Sequence, residues 1–409
     1  MLTNNYHYST RLLSFQMKPV RTLRCFTRYK CIQSKCKQNC CVGWKIAVDN
    51  KTIDKWREKA PYLLDYIESY KDEDGENKYK MKKKGICCIA LTDEYMCEIQ
   101  AKHGECMIPN LCGYFPHLYK DFGDYVYSSI NLSCPAVVKS ILFCNSKDDW
   151  KFVDWKPNFE KDKIFSYSSS ITISYKDCEL LLQKIFKLLD QKEDFDILLA
   201  TFTKVCFENH ELSTSAFAKN LKKDFFKCKK RIKKEYRKRK NEVSDVFFNT
   251  IKTMAAIDDS IEAINLAKQE FGIKENEKEA VDISKLGTVQ TKYRKVIDNY
   301  RRNTKHQIDD MIKNYFKCRL AEYLFPAYYI LYGLRSTLCY IVCELMAVKL
   351  VLICLIKSDK DLQDSDRIIH LVASIGRAFY ARQSKKTYEK ISDNYWFHRD
   401  TLNDYILYY

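Results

Sequence analysis

Hydrophobic and polar positions fall into two textures along this chain. From about Tyr175 onward, apolar residues recur at three- and four-residue steps, as in Leu180-Leu181-Leu182, Ile185-Phe186 and Leu188-Leu189. That spacing gathers them on one face of a helix. The same periodicity predicts further helices around Ile197–Phe207, Ala216–Ile264, Tyr293–Leu324, Ala327–Ile356 and Ser365–Tyr380. Between positions 25 and 145 the apolar runs are short. Six of the ten glycines and six of the seven prolines occur by position 157, which implies short elements and loops held by something other than a large core. Within that region Thr52 is a plausible N-cap for a helix over Ile53–Lys59, with Pro61 soon after. Lys71–Lys84, charged and Gly-containing, reads as a solvated loop between two ligand-bearing segments.

The expected fold is therefore mainly α: a Cys-rich metal-binding module with short elements and loops, followed by a helical domain. Residues 1–17 are expected to be a flexible extension, with Met17 as an alternative start; 18–150 form the module and 171–409 the helical domain. The boundary is the loop from Trp150 to Ser170, which contains Pro157 and the serines of Ser166–Ser170. No repeat of solenoid period is present.

Composition narrows the picture. Apolar residues at 46% and charged residues at 30% make a globular balance and exclude wholesale disorder. A formal charge of +17 favours acidic partners without naming one. The most apolar stretch, Leu338–Ile356, is interrupted by Glu344 and Lys349 and follows Arg335. Two mid-span charges are costly in a bilayer, so it reads as a buried core helix and no membrane span is expected.

Of 19 cysteines, twelve lie between Cys25 and Cys144. No uninterrupted apolar stretch of the signal-peptide kind stands near the N-terminus and the cysteine count is odd, so a reducing cytosol is expected rather than a disulfide framework. Cys31, Cys36, Cys40 and Cys41 fall within eleven residues beside Gly43-Trp44. A second group is Cys87, Cys97 and Cys112, with Cys134 beyond it in Leu132-Ser133-Cys134-Pro135. Four thiolates converging from separate loops suit zinc or an iron–sulfur cluster equally, and the spacing matches neither a CxxC zinc knuckle nor a CxxxCxxC radical site. Cys178, Cys206, Cys228, Cys318, Cys339, Cys343 and Cys354 sit in apolar helical surroundings and read as interior residues.

These residues, together with Met96-Cys97-Glu98-Ile99-Gln100, Gly104-Glu105, Cys112-x2-Phe115-Pro116, Asn314-Tyr315-Phe316, Leu324-Phe325-Pro326 and Ile375-Gly376-Arg377-Ala378, resemble the flagellin lysine-N-methylase family across most of residues 18–380. The resemblance implies methyl transfer from S-adenosylmethionine to lysine ε-amines of flagellin or another lysine-rich protein, by a cytoplasmic protein that carries an iron–sulfur cluster, expected as 4Fe–4S. The matching thiols are Cys31, Cys36, Cys40, Cys41, Cys87, Cys97, Cys112 and Cys134. Of these, Cys41, Cys97, Cys112 and Cys134 are the first choice of metal ligands. The chain departs from the family pattern at His117, where an Arg commonly follows the Phe-Pro pair, at Ala136, where an acid follows Cys-Pro, and around Phe379–Ala381, where a His is expected.

Lysine methylation needs a neutral amine held in line with a sulfonium methyl. Tyr114, Tyr119 and Tyr315 lie near the family-like motifs and are candidates to line such a site; no glycine occurs between Tyr125 and Phe271, so a Rossmann-type cofactor unit is not expected. The alternative function is a zinc-stabilised binding protein in which the basic stretch Lys222–Lys240 tracks nucleic acid or an acidic protein.

Overall fold

Strand and helix formation in this chain follow from where each segment can bury its apolar side. In the computed structural model the described residues are 19–32, 35–36, 40–43, 45–72, 75–156, 174–209, 214–239, 265–266, 269–270, 286–327, 334–358, 361 and 365–381. The expected extension at 1–17, Trp44, the boundary residues Pro157 and Ser166–Ser170, and the predicted helix beyond Arg239 lie outside them.

A four-stranded sheet is built from β1 (Val20–Leu23), β7 (His117–Asp121), β8 (Val126–Ile130) and β9 (Phe152–Trp155), in the order β7-β8-β1-β9. β1 runs parallel to β8 and antiparallel to β9. One face of this sheet meets the helices: the Tyr127 hydroxyl donates to the carbonyl of Ala321 at 2.8 Å and Lys120 Nζ to that of Glu322 at 2.6 Å.

A smaller apolar core forms around Trp56, whose indole donates to the Met107 carbonyl at 2.7 Å. It is enclosed by β2 (Ala47–Val48), α1 (Asn50–Lys59), β3 (Ile67–Lys71), β4 (Asn77–Met81), the short pair β5 (Lys83–Lys84) and β6 (Cys87–Cys88), and α2 (Glu98–His103). Helix α1 starts three residues before the sequence pattern suggests. Its cap is the Asp49 carboxylate, which accepts from the Thr52 amide and hydroxyl at 3.0 and 2.7 Å; a carboxylate there also faces the positive end of the helix. Most of Lys71–Lys84, expected as a loop, is instead a hairpin. Glu68 pairs with Lys80 across β3 and β4 at 3.1 Å, and the alternation turns Met81 inward while the charged side chains stay in water.

The second half is helical as the periodicity indicates: α5 (Tyr175–Leu189), α6 (Phe195–Glu208), α7 (Thr214–Arg239), α8 (Leu286–Asn299), α9 (Lys305–Glu322), α10 (Leu334–Leu355) and α11 (Ser365–Ala381), with a π-helical turn at Tyr300–Thr304 joining α8 to α9. These helices share one large core with β1, β8, β9 and α4 (Pro135–Leu142). Helix α10 is long and apolar enough to cross a membrane, but 94% of its most apolar window is buried inside the protein. Both charges that interrupt it are answered there. Lys349 donates to Asp196 at 2.6 Å, and Glu344 accepts from Arg319 and Tyr315. A buried ion is tolerable only when paired in this way.

Candidate functional site

Four segments bring cysteines together. Residues 41–43 lie along β6 through a short ladder: the Cys88 amide donates to the Cys41 carbonyl at 2.7 Å and Gly43 to the Ile86 carbonyl at 2.9 Å. Gly43 carries a φ of +82°, a turn geometry that L side chains resist. On the far side Leu91 bridges to Cys97. Side chains directly opposite in such a ladder share a face, so Cys41 and Cys88 point together while Cys87, opposite Val42, points the other way. Cys112, on α3 (Asn110–Tyr114), joins Cys41, Cys88 and Cys97 in the Trp56 core.

The thiols perturb one another. Cys40 is brought down to about 7, chiefly by a hydrogen bond with the Cys41 thiol, with a further pull from Arg377. Cys88 is lowered by the same partner. Cys41, between the two, is driven up by both hydrogen bonds and is the proton-bearing member. Burial pushes Cys97 and Cys112 up.

Cys134 belongs to a second group. It caps α4, so the amides of Ala136 and Val137 face its sulfur, but burial dominates and lifts it to about 12. Its neighbours are Cys31, Cys36 and Tyr29, whose hydroxyl hydrogen-bonds with both Cys31 and Cys134. Arg377 bridges the two groups. Its guanidinium donates to the Val42 carbonyl at 3.2 Å and is held electrostatically by Cys40, Cys36 and Cys134. It reaches them because Gly376 lets α11 press against the Leu132 backbone, where a Cβ would stand 2.7 Å from the carbonyl oxygen.

The eight sequence-derived thiols are thus divided. Cys40, Cys41, Cys97 and Cys112 gather on one side of Arg377 and Cys31, Cys36 and Cys134 on the other, with Cys87 turned away. Among the described residues no three His, Cys, Asp or Glu side chains are close enough together to grip an ion as they stand. All nineteen cysteines are thiols rather than disulfides, and the seven in the helices are buried. Two members of the constellation were not nominated from sequence. Cys88 adjoins Cys87 and only strand pairing distinguishes them, and Arg377 is carried by a helix more than 240 residues beyond Cys134, the thiol nearest to it in sequence among those that hold it.

Beside Tyr29 runs an aromatic face of the four-stranded sheet. His117 stacks on Trp155 at 4.7 Å, with Tyr29 and Tyr119 at about 6 Å and Tyr114 edge-on to Tyr119. Tyr315, the third tyrosine named from sequence, is fully buried and donates to Glu344. Burial holds His117 down at about 4, so the imidazole is neutral at physiological pH. A histidine lowered from the usual 6.5 contributes stability that is complete above pH 6.5 and lost as pH falls toward 4. Urea unfolding at pH 7.5 and pH 5 is expected to reveal a loss of at most about 2 kcal/mol traceable to this residue. The loss should shrink in His117→Gln; an unchanged pH dependence in that variant would assign it elsewhere.

Known proteins complete the description. A curated lysine-N-methylase from Salmonella typhimurium is 28% identical over 122 residues, 28% of this chain and 30% of the relative; its counterpart from Salmonella choleraesuis is 27% identical over the same length. The chain is a divergent relative of the lysine-N-methylases. It matches about a third of the length of those two relatives. A flagellar biosynthetic protein FliU from Salmonella muenchen is 25% identical over 158 residues, covering 37% of this chain and 92% of that protein. No protein-family model and no solved structure matches.

Proposed function

We propose that this chain is a protein methyltransferase that moves a methyl group from S-adenosylmethionine to lysine ε-amines of flagellin or another protein, with an iron–sulfur cluster held by the thiols that flank Arg377. The observation that carries the reading is the meeting of Cys41, Cys88, Cys97 and Cys112 in one small core, beside a guanidinium from the helical half that is held by Cys36, Cys40 and Cys134. The donor set suits a soft, thiophilic group because every donor is sulfur, and the adjoining Cys40 and Cys88, held below the ordinary thiol range, bring negative charge beside it. Cys41, Cys97 and Cys112 are the first ligands, and Cys134 is the fourth, approached across Arg377. Bound there, a cluster would add a redox-capable, Lewis-acidic centre. Arg377 would offset its thiolate charge. The neutral surface of His117, Tyr119 and Trp155 would receive the substrate lysine, since desolvation favours the free amine that attacks a sulfonium carbon.

Anaerobically purified protein is expected to be brown and to contain iron and acid-labile sulfide. Serine at Cys41, Cys97, Cys112 or Cys134 should each remove most of the iron; full retention in all four sinks the ligand assignment, and colourless protein holding zinc sinks the cluster. Labelled methyl should pass from S-adenosylmethionine to flagellin or a lysine-rich acceptor. No incorporation by iron-loaded protein would end the enzyme reading.

A further inference from the structure

Helix α7 is basic by composition, but only the fold separates its charges into two classes. Phe217, Leu221, Phe225, Cys228 and Ile232 are buried and face α5 and α6. Three of its basic residues are taken up by neighbours: Lys229 and Arg231, on the flanks of that face, donate to Gln191 at 2.6 Å and to Glu208 at 2.7 Å, and Lys233, farther round on the outer side, donates to Glu193 at 2.8 Å. Lys219, Lys222, Lys223, Lys227, Lys230 and Lys234 lie on the opposite side, all exposed. At 100° per residue they fall within an arc of about 140°, over a length of about 22 Å. Among the described residues no ion pair engages them, and Asp224 and Glu235 fall outside the arc. In the middle of the stripe stands Phe226, exposed at 38% although large and apolar.

We propose that this outer face of α7 binds single-stranded nucleic acid. Like charges a helical turn apart repel one another, and a regularly spaced polyanion relieves that repulsion along the whole rod. The cations are lysines, which serve as point charges rather than the planar forks that fix an acidic protein side chain in one register. An anionic bilayer fits less well, because the apolar side of the helix is spent on the protein core and Phe226 alone is left to enter lipid. A duplex leaves Phe226 without use, whereas an unpaired base can stack on it. The overall charge of +17 draws polyanions toward the molecule from a distance. This activity is independent of the thiol site.

The test is fluorescence anisotropy of the full chain with a labelled 20-nucleotide oligouridylate and with a duplex of equal length, from 50 to 200 mM NaCl. The proposal expects log Kd to rise with log salt with a slope of about 4, as six neutralised phosphates of a single strand require. The variant K222Q/K223Q/K227Q/K230Q should bind at least about 30-fold more weakly with a slope lower by about 3, while K222R/K223R/K227R/K230R retains binding. F226A should weaken the single strand about tenfold and leave the duplex unchanged. These positions are solvated, and circular dichroism melts establish that each variant is folded. Unaltered affinity in the glutamine variant overturns the proposal. Equal losses for strand and duplex in F226A overturn its single-strand part. Flotation with phosphatidylserine vesicles in the absence of oligonucleotide binding assigns the face to lipid instead and likewise overturns it.

Discussion

Replacing Arg319 by Met is expected to destabilise the protein by about 3–5 kcal/mol, the loss found when one partner of a buried ion pair is removed. Arg319 has no exposed surface, and its guanidinium engages Glu344, with Nε at 2.9 Å, and Glu322. Glu344 also accepts from the Tyr315 hydroxyl. Burial pushes Glu344 upward and the guanidinium opposes it. Without Arg319, two carboxylates would face the core with no cation between them. Urea unfolding of Arg319→Met at pH 7 measures the cost. Arg319→Met combined with Glu344→Gln and Glu322→Gln should recover a large part of it, because the uncompensated charge is gone. A single variant as stable as wild type would mean that water reaches this site.

The second large effect concerns Gly376. A Cβ at this position would lie 2.7 Å from the Leu132 carbonyl oxygen and 3.0 Å from its carbon, both backbone atoms, and 3.4 Å from the Tyr315 hydroxyl. No flexible side chain is there to yield, so α11 must retreat. Gly376→Val is expected to cost about 3 kcal/mol, the upper end for an overpacked core, and to draw Arg377 away from Cys36, Cys40 and Cys134. Thermal unfolding reports the first consequence and metal content after anaerobic purification the second. Gly376→Val with wild-type melting and wild-type iron would show that the helix has room to move.

The helical half was legible because each of its helices buries a continuous stripe, and a period of 3.6 is visible in a single sequence. The two charges inside α10 argued for a core helix over a membrane span, while their partners Asp196 and Arg319 lie too far away in sequence to be named. The sheet was not legible. Val20–Leu23 looks like any short apolar run, and its neighbours are chosen by residues more than a hundred positions distant. The same holds for the hairpin over 67–81, whose alternating Lys and Glu read as solvated loop because only one of its faces is apolar. The thiols were visible as a cluster of cysteines. Their division into two groups, the preference for Cys88 over Cys87 and the arrival of Arg377 all depend on tertiary geometry.

The position of β1 also bears on how the chain is made. This strand lies between β8 and β9, so a segment from the first residues of the described chain waits for partners that end at Trp155. During synthesis on a ribosome the sheet cannot close until Trp155 has cleared the exit tunnel. Pairings over such distances slow folding and leave an apolar edge uncovered in the nascent chain, where chaperones bind.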